Sequence, residues 1–113
     1  MRRLLAGSVA ATLILASVSA AAELSGNDLY ADCTAPRNSF PGAWCAGYVA
    51  GITEAMGGGA SFQGFSACFP LSETLAQKAD AVAQFLTSHP EKRHRAAAAL
   101  VAEALANAYP CKR

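Results

Sequence analysis

Four cysteines, two histidines, two nearby aspartates and a few serines are the residues able to do chemistry in this 113-residue chain. The cysteines are Cys33, Cys45, Cys68 and Cys111. An even number in a small domain reads as disulfides where the compartment is oxidising. Zinc is the competing use of four thiols, but structural zinc sites draw ligands from close pairs, and no two of these cysteines are close. A redox-active Cys-x-x-Cys is absent too. His89 and His94 stand five apart, which splays them around a helix, unlike the i, i+4 pair that binds metal. Asp28 and Asp32 share one helix face, but paired carboxylates without a cleft do not make an acid–base site. Ser72 and Ser88 read as helix caps, since no base lies near either in sequence. The residues therefore predict no enzyme, no metal and no cofactor.

The start of the chain decides the redox question. Arg2 and Arg3 precede an apolar, uncharged run from Leu4 to Val18, followed by the small residues of Val18-Ser19-Ala20 and Ala20-Ala21-Ala22. This is the three-part layout of a secretory signal peptide, and the run falls short of the ~20 apolar residues that span a bilayer. Residues 1–22 are expected to be removed, leaving a mature domain over 23–113 with no stable membrane anchor. That domain carries seven Lys or Arg against eight Asp or Glu, a net charge of −1. Such a balance gives no electrostatic reason to bind nucleic acid. A domain this size buries only about 60–65% of its unfolded surface, a thin core that disulfides would help secure.

Four helical segments would position the cysteines. The first spans Asn27 to Cys33, with Asn27 as cap and Pro36 beyond its end. The second opens near Pro41, with Trp44, Tyr48, Ile52 and Ala55 as one apolar stripe. Gly47 and Gly51 lie beside that stripe and suggest a helix packed against bare backbone. Gly57-Gly58-Gly59 stops the helix. The third follows Ser72 as cap and buries Leu75, Ala79, Val82, Phe85 and Leu86. The fourth starts from Ser88-His89-Pro90-Glu91, read as a capping box. It presents Ala97, Leu100, Val101, Ala104, Leu105 and Ala108 on one face and Lys92, Arg93 and Arg95 to solvent. No strand pattern or repeat is evident, so the fold class is all-α, a small four-helix bundle.

Of the three pairings four cysteines allow, topology favours one. The tight connection around Ser88 to Pro90 makes helices three and four antiparallel, which brings Cys68, before the third, beside Cys111, after the fourth. Cys33 ends the first helix and Cys45 begins the second across a connection holding Pro36 and Pro41. The predicted bridges are Cys33–Cys45 and Cys68–Cys111.

Several motifs recur together: Gly26-Asn27-Asp28-Leu29-Tyr30 with Cys33, then Cys45-Ala46-Gly47-Tyr48-Val49 with Gly51, and Cys68-Phe69-Pro70. They are followed by Phe85-Leu86 with His89-Pro90-Glu91, Arg93-His94 and Ala97, and by Ala104-Leu105 with Ala108-Tyr109-Pro110-Cys111. This order resembles the Rap/Tai immunity family, exported helical proteins that neutralise peptidoglycan amidases delivered by type VI secretion systems. The resemblance implies a periplasmic binding protein, often a homodimer, whose protein partner is an amidase blocked by a protruding loop. The segment best suited to that loop is Gly57, Gly58 and Gly59 with Phe62, Gln63 and Phe65. Its phenylalanines would then serve as interface anchors; the favoured reading from the residues alone is a flexible connector whose phenylalanines fold back on the core. A periplasmic stress holdase, or an adaptor without a toxin partner, is the alternative use of such a domain.

Overall fold

The first described helix begins where a serine can satisfy its free amides. A computed structural model describes residues 23–112 together with positions 7, 10 and 12. Residues 1–22, expected to be a signal peptide, otherwise lie outside the described residues. Helix α1 spans Gly26–Cys33, α2 Phe40–Ala55, α3 Leu75–Ser88 and α4 Ala97–Ala108. Single 3-10 turns cover Gly57–Gly59 and Pro90–Lys92. The fold is an all-α bundle of four helices in which every pair of helices is in contact. No strand occurs among the described residues beyond two isolated bridges, Ser25 with Ala96 and Phe62 with Phe65.

The helix starts differ from those expected. Ser25, rather than Asn27, caps α1, and a full capping box forms with Asp28. Ser39 caps α2, with Pro41 in its first turn. Thr74 and not Ser72 caps α3, exchanging hydrogen bonds with Gln77. Both boxes follow the Ser/Thr-x-x-acid-or-amide spacing. The expected box at Ser88 does not form. Pro90–Lys92 is a separate turn with no side-chain cap, and α4 starts at Ala97 behind Ala96, which has no hydroxyl or carboxylate to offer. Its start is held from outside instead: Ala97 N–H donates to the Leu24 carbonyl at 2.7 Å, and Gly26 N–H donates to Arg95 at 2.9 Å.

The core contains Leu29, Val49, Met56, Val82, Leu86, Leu100 and Leu105, all nearly inaccessible to solvent. The face expected of α3 is largely the one buried, through Ala79, Val82, Phe85 and Leu86, although Leu75 at its first position is exposed. The α4 face is likewise as expected, extended by Ala102, while Ala108 is exposed.

Helix α2 departs most from the sequence reading. Its buried line is Gly42, Cys45, Val49 and Ile52, continued by Met56. Trp44 and Ala55, expected in the core stripe, are exposed, and Tyr48 is half-buried. The reason is the bridge: Cys45 is fixed against Cys33 on α1, and the residues one and two turns on from Cys45 follow it inward.

Both predicted disulfides are present. Cys33–Cys45 joins α1 to α2 with its Cα atoms 5.1 Å apart. Cys68–Cys111 ties the α2–α3 connection to the end of α4 with Cα atoms 4.8 Å apart. Both separations suit an ordinary bridge.

Candidate functional site

The segment expected to act as a binding loop is a short, ordered hairpin. After the 3-10 turn, Phe62 and Phe65 exchange both backbone hydrogen bonds, at 2.8 and 2.9 Å. Between them Gln63 and Gly64 have φ of 52° and 81°. Two central residues with positive φ closing a two-residue loop describe a type I′ turn, which favours glycine at its second position. Gly58 and Gly59 also hold positive φ, at 66° and 77°. Backbone constraint rather than floppiness therefore sets the path of this glycine-rich stretch.

The side chains divide between inside and outside. Phe62 and Phe65 are half-buried against the core, as is Phe69 beyond them. They secure the hairpin to the bundle instead of projecting as free anchors. Gln63 and Gly64 at the tip are exposed, as are Gly57, Gly58, Ala60, Ser61 and Ser66, while Gly59 is half-buried. The Cys68–Cys111 bridge follows immediately, and Cys68 N–H donates to the Tyr109 carbonyl at 2.9 Å.

A second exposed surface lies on the outer side of α2. Phe40, Trp44 and Tyr48 recur one turn apart, with Phe40 83% exposed and Trp44 39% exposed. The Trp44 and Tyr48 rings stack with centroids 5.4 Å apart. Burial, followed by the nearby Glu23 carboxylate, raises the Tyr48 pKa. Gly47 and Gly51 lie beside these rings, and a Cβ at either would meet nothing within 4 Å. Among the described residues no helix lies against these glycines, contrary to the expectation. The core already has its fill from the opposite face of α2, which leaves the glycine face open.

The residues weighed for catalysis do not converge. His89 packs against Phe85, with ring centroids 4.5 Å apart, and its Nδ1 lies 3.0 Å from a Glu91 carboxylate oxygen. That contact is the main reason the Glu91 pKa is lowered. His94 is exposed. Asp28 is occupied in the α1 capping box, where hydrogen bonds from the Ser25 backbone and then its hydroxyl hold its carboxyl below the usual value. Among the described residues no three His, Cys, Asp or Glu side chains gather as a metal site.

Sequence reasoning missed several polar links that shape the surface. Lys92 is not simply solvated: its Nζ reaches Glu103 at 2.6 Å. Arg93 lies over the Tyr30 ring at 4.0 Å. Tyr109 donates its hydroxyl to Glu73 at 3.1 Å, and burial followed by this carboxylate raises the tyrosine's pKa. These pairs are 11 to 63 residues apart in sequence, so no local pattern announces them.

The profile of the Rap1a immunity proteins matches residues 25–111, which covers all four helices, both bridges and the hairpin. The chain belongs to the Rap1a immunity protein family. No curated protein and no solved structure matches it. Membership in the Rap1a family supports an immunity role and implies a protein partner. Together with the two disulfides, it also supports export from the cytoplasm. No described helix is long and apolar enough to cross a membrane.

Proposed function

We propose that this Rap1a family member is a periplasmic immunity protein that binds a peptidoglycan amidase delivered by a type VI secretion system and occludes its cleft. Residues 1–22 act as the signal peptide, and residues 23–113 are the mature binding domain. The observation that carries this reading is the family match across the whole helical domain. The contact is made by the hairpin from Gly57 through Gly58, Gly59, Phe62 and Gln63 to Phe65. The phenylalanines brace it from within, and Gln63 with Gly64 forms the leading edge. A braced hairpin loses little conformational entropy on binding, which favours affinity.

The outer face of α2 supports a second surface, used for pairing with another copy of the chain. Its rings and its glycines lie side by side, so a Trp44 knob of one copy can enter the Gly47–Gly51 gap of the other. The holdase alternative finds less support, because no polar or charged residue is buried among the described ones. Acid then has no interior carboxylate to protonate and no means of opening the core that way.

Co-expression in a bacterial periplasm with type VI-delivered peptidoglycan amidases tests the reading. The mature chain is expected to restore growth against one of them and to co-purify with it. Gln63→Asp preserves the turn preference but adds a charge at the tip, and should abolish both effects while leaving the fold intact. Continued lysis despite abundant folded protein would refute the assignment.

A further inference from the structure

The two disulfides differ sharply in access. Cys33 and Cys45 are 3% and 0% exposed and belong to the core cluster. Cys68 and Cys111 are both exposed. Beside this second bridge opens a cleft of about 450 Å³ whose walls include Cys68, Phe69, Pro70, Tyr109, Pro110 and Lys112. Cys68 is thus a wall residue, reachable by a group seated in the cleft. On the hairpin side Gly59 has no side chain, whereas a Cβ there would already be in van der Waals contact with the Cys68 sulfur at 3.7 Å. Lys112, next to Cys111 in sequence, lines the same cleft, and a cation there favours thiolate over thiol.

We propose that Cys68–Cys111 is a thiol–disulfide exchange site for a dithiol entering this cleft, whereas Cys33–Cys45 is a closed structural bond. The incoming thiolate attacks the Cys68 sulfur and forms a mixed disulfide. The Cys68–Cys111 bond breaks, and Cys111 leaves as a thiolate beside Lys112 before taking a proton from water. The second thiol of the dithiol, once deprotonated, attacks the mixed disulfide and releases Cys68 as a thiolate, which is protonated in turn. The dithiol is oxidised to a disulfide by two electrons, and the protein bridge is reduced to two thiols. The cleft keeps its shape through the cycle. The Cys68 N–H to Tyr109 carbonyl bond and the Tyr109 hydroxyl to Glu73 bond hold both walls without the sulfurs. The core cluster includes neither Cys68 nor Cys111, so opening this bridge removes no core packing contact. None of this depends on the identity of the immunity partner.

The test uses the oxidised mature chain, treated under native conditions with dithiothreitol, quenched with an alkylating reagent and mapped by peptide. Cys68 and Cys111 should be alkylated at least about tenfold faster than Cys33 and Cys45, since the buried pair must wait for global opening. Helical circular dichroism should persist while the first bridge is reduced. A thioredoxin-type protein lacking its resolving cysteine should be trapped on Cys68. Lys112→Ala should slow the first reduction several-fold without altering the second. Equal rates for the two bridges, loss of helicity in step with the first reduction, trapping on Cys111, or an unchanged rate in Lys112→Ala would each overturn the assignment.

Discussion

Helices α2 and α4 are made of similar residues and are used in different ways. Both are rich in alanine and aliphatic side chains, and each contains a single charged residue, Glu54 and Glu103 respectively. In α4 six of twelve residues are buried, and the helix contributes Leu100, Val101 and Leu105 to the core. In α2 only four of sixteen are buried, and Phe40, Trp44, Gly47 and Gly51 face outward. Apolar content alone therefore does not mark a helix as interior. A helix that is apolar on all sides is normally enclosed, and α2 is enclosed on one side only. The surplus apolar surface of α2 is available for contact with another protein.

The largest expected effect separates these two uses directly. Leu100→Ala empties a site with 1% exposure and should destabilise the fold by about 2–5 kcal/mol. Phe40→Ala removes a larger side chain that is 83% exposed, and should shift stability by no more than about 0.5 kcal/mol. Urea unfolding of dilute protein measures both. Comparable losses would mean that the outer face of α2 is covered in the isolated protein.

A smaller effect with opposite signs lies within α2 itself. At Gly42 a Cβ would run into the Pro36 carbonyl and come within 2.9 Å of the Arg37 Cα, backbone that cannot swing aside. Gly42→Ala should cost about 1–3 kcal/mol through overpacking. Gly47 and Gly51 have open space, so alanine there removes only the entropic penalty of a helical glycine. Each change should stabilise the chain by up to about 1 kcal/mol. Under the proposed pairing through this face, the Gly47→Ala, Gly51→Ala double variant should at the same time dissociate at higher concentrations than the native chain in sedimentation experiments. A stabilised variant with unaltered association would assign the glycine face no part in pairing.

The same contrast explains what could be read from sequence. The α4 core face followed from its 3.6-residue period, because strong helix formers and a bulky aliphatic line coincide there. In α2 the apolar residues occur on every side, so periodicity could not choose between the Trp44–Tyr48 line and the Cys45–Val49–Ile52 line. The choice came from a long-range constraint, the bridge to Cys33. The disulfide pairing itself was legible because helix order and short connections place the chain ends. Ser25 and Thr74 carried a local signal, each followed three residues later by a side chain that can return the hydrogen bond. The hairpin was legible as a glycine-rich connection, but which of its side chains turn inward depended on the bundle beneath it. The pairs Lys92–Glu103 and Tyr109–Glu73 depend wholly on tertiary placement.

The smallest effect concerns how each helix start is secured. The α1 start depends on a carboxylate: Ser25 N–H and hydroxyl donate to Asp28 at 3.1 and 2.9 Å, and Asp28 N–H donates to the Ser25 hydroxyl at 3.2 Å. These bonds lower the Asp28 pKa in the folded chain, the Ser25 backbone contributing most. With a folded value below the unfolded one, the stabilisation is complete above the ordinary aspartate value. It is lost as pH falls through the lowered folded value. The α4 start lacks a cap of its own and rests on this same segment through Leu24 and Gly26. Helix α2 is capped by the neutral Ser39 hydroxyl. Acidification below the ordinary aspartate range should therefore reduce amide protection around Asp28 and Ala97, after correction for intrinsic exchange, and spare the α2 amides near Gly42. Asp28→Asn should flatten that pH dependence. An equal loss of protection at Gly42, or an unchanged profile in Asp28→Asn, would mean that the acid response comes from somewhere other than this cap.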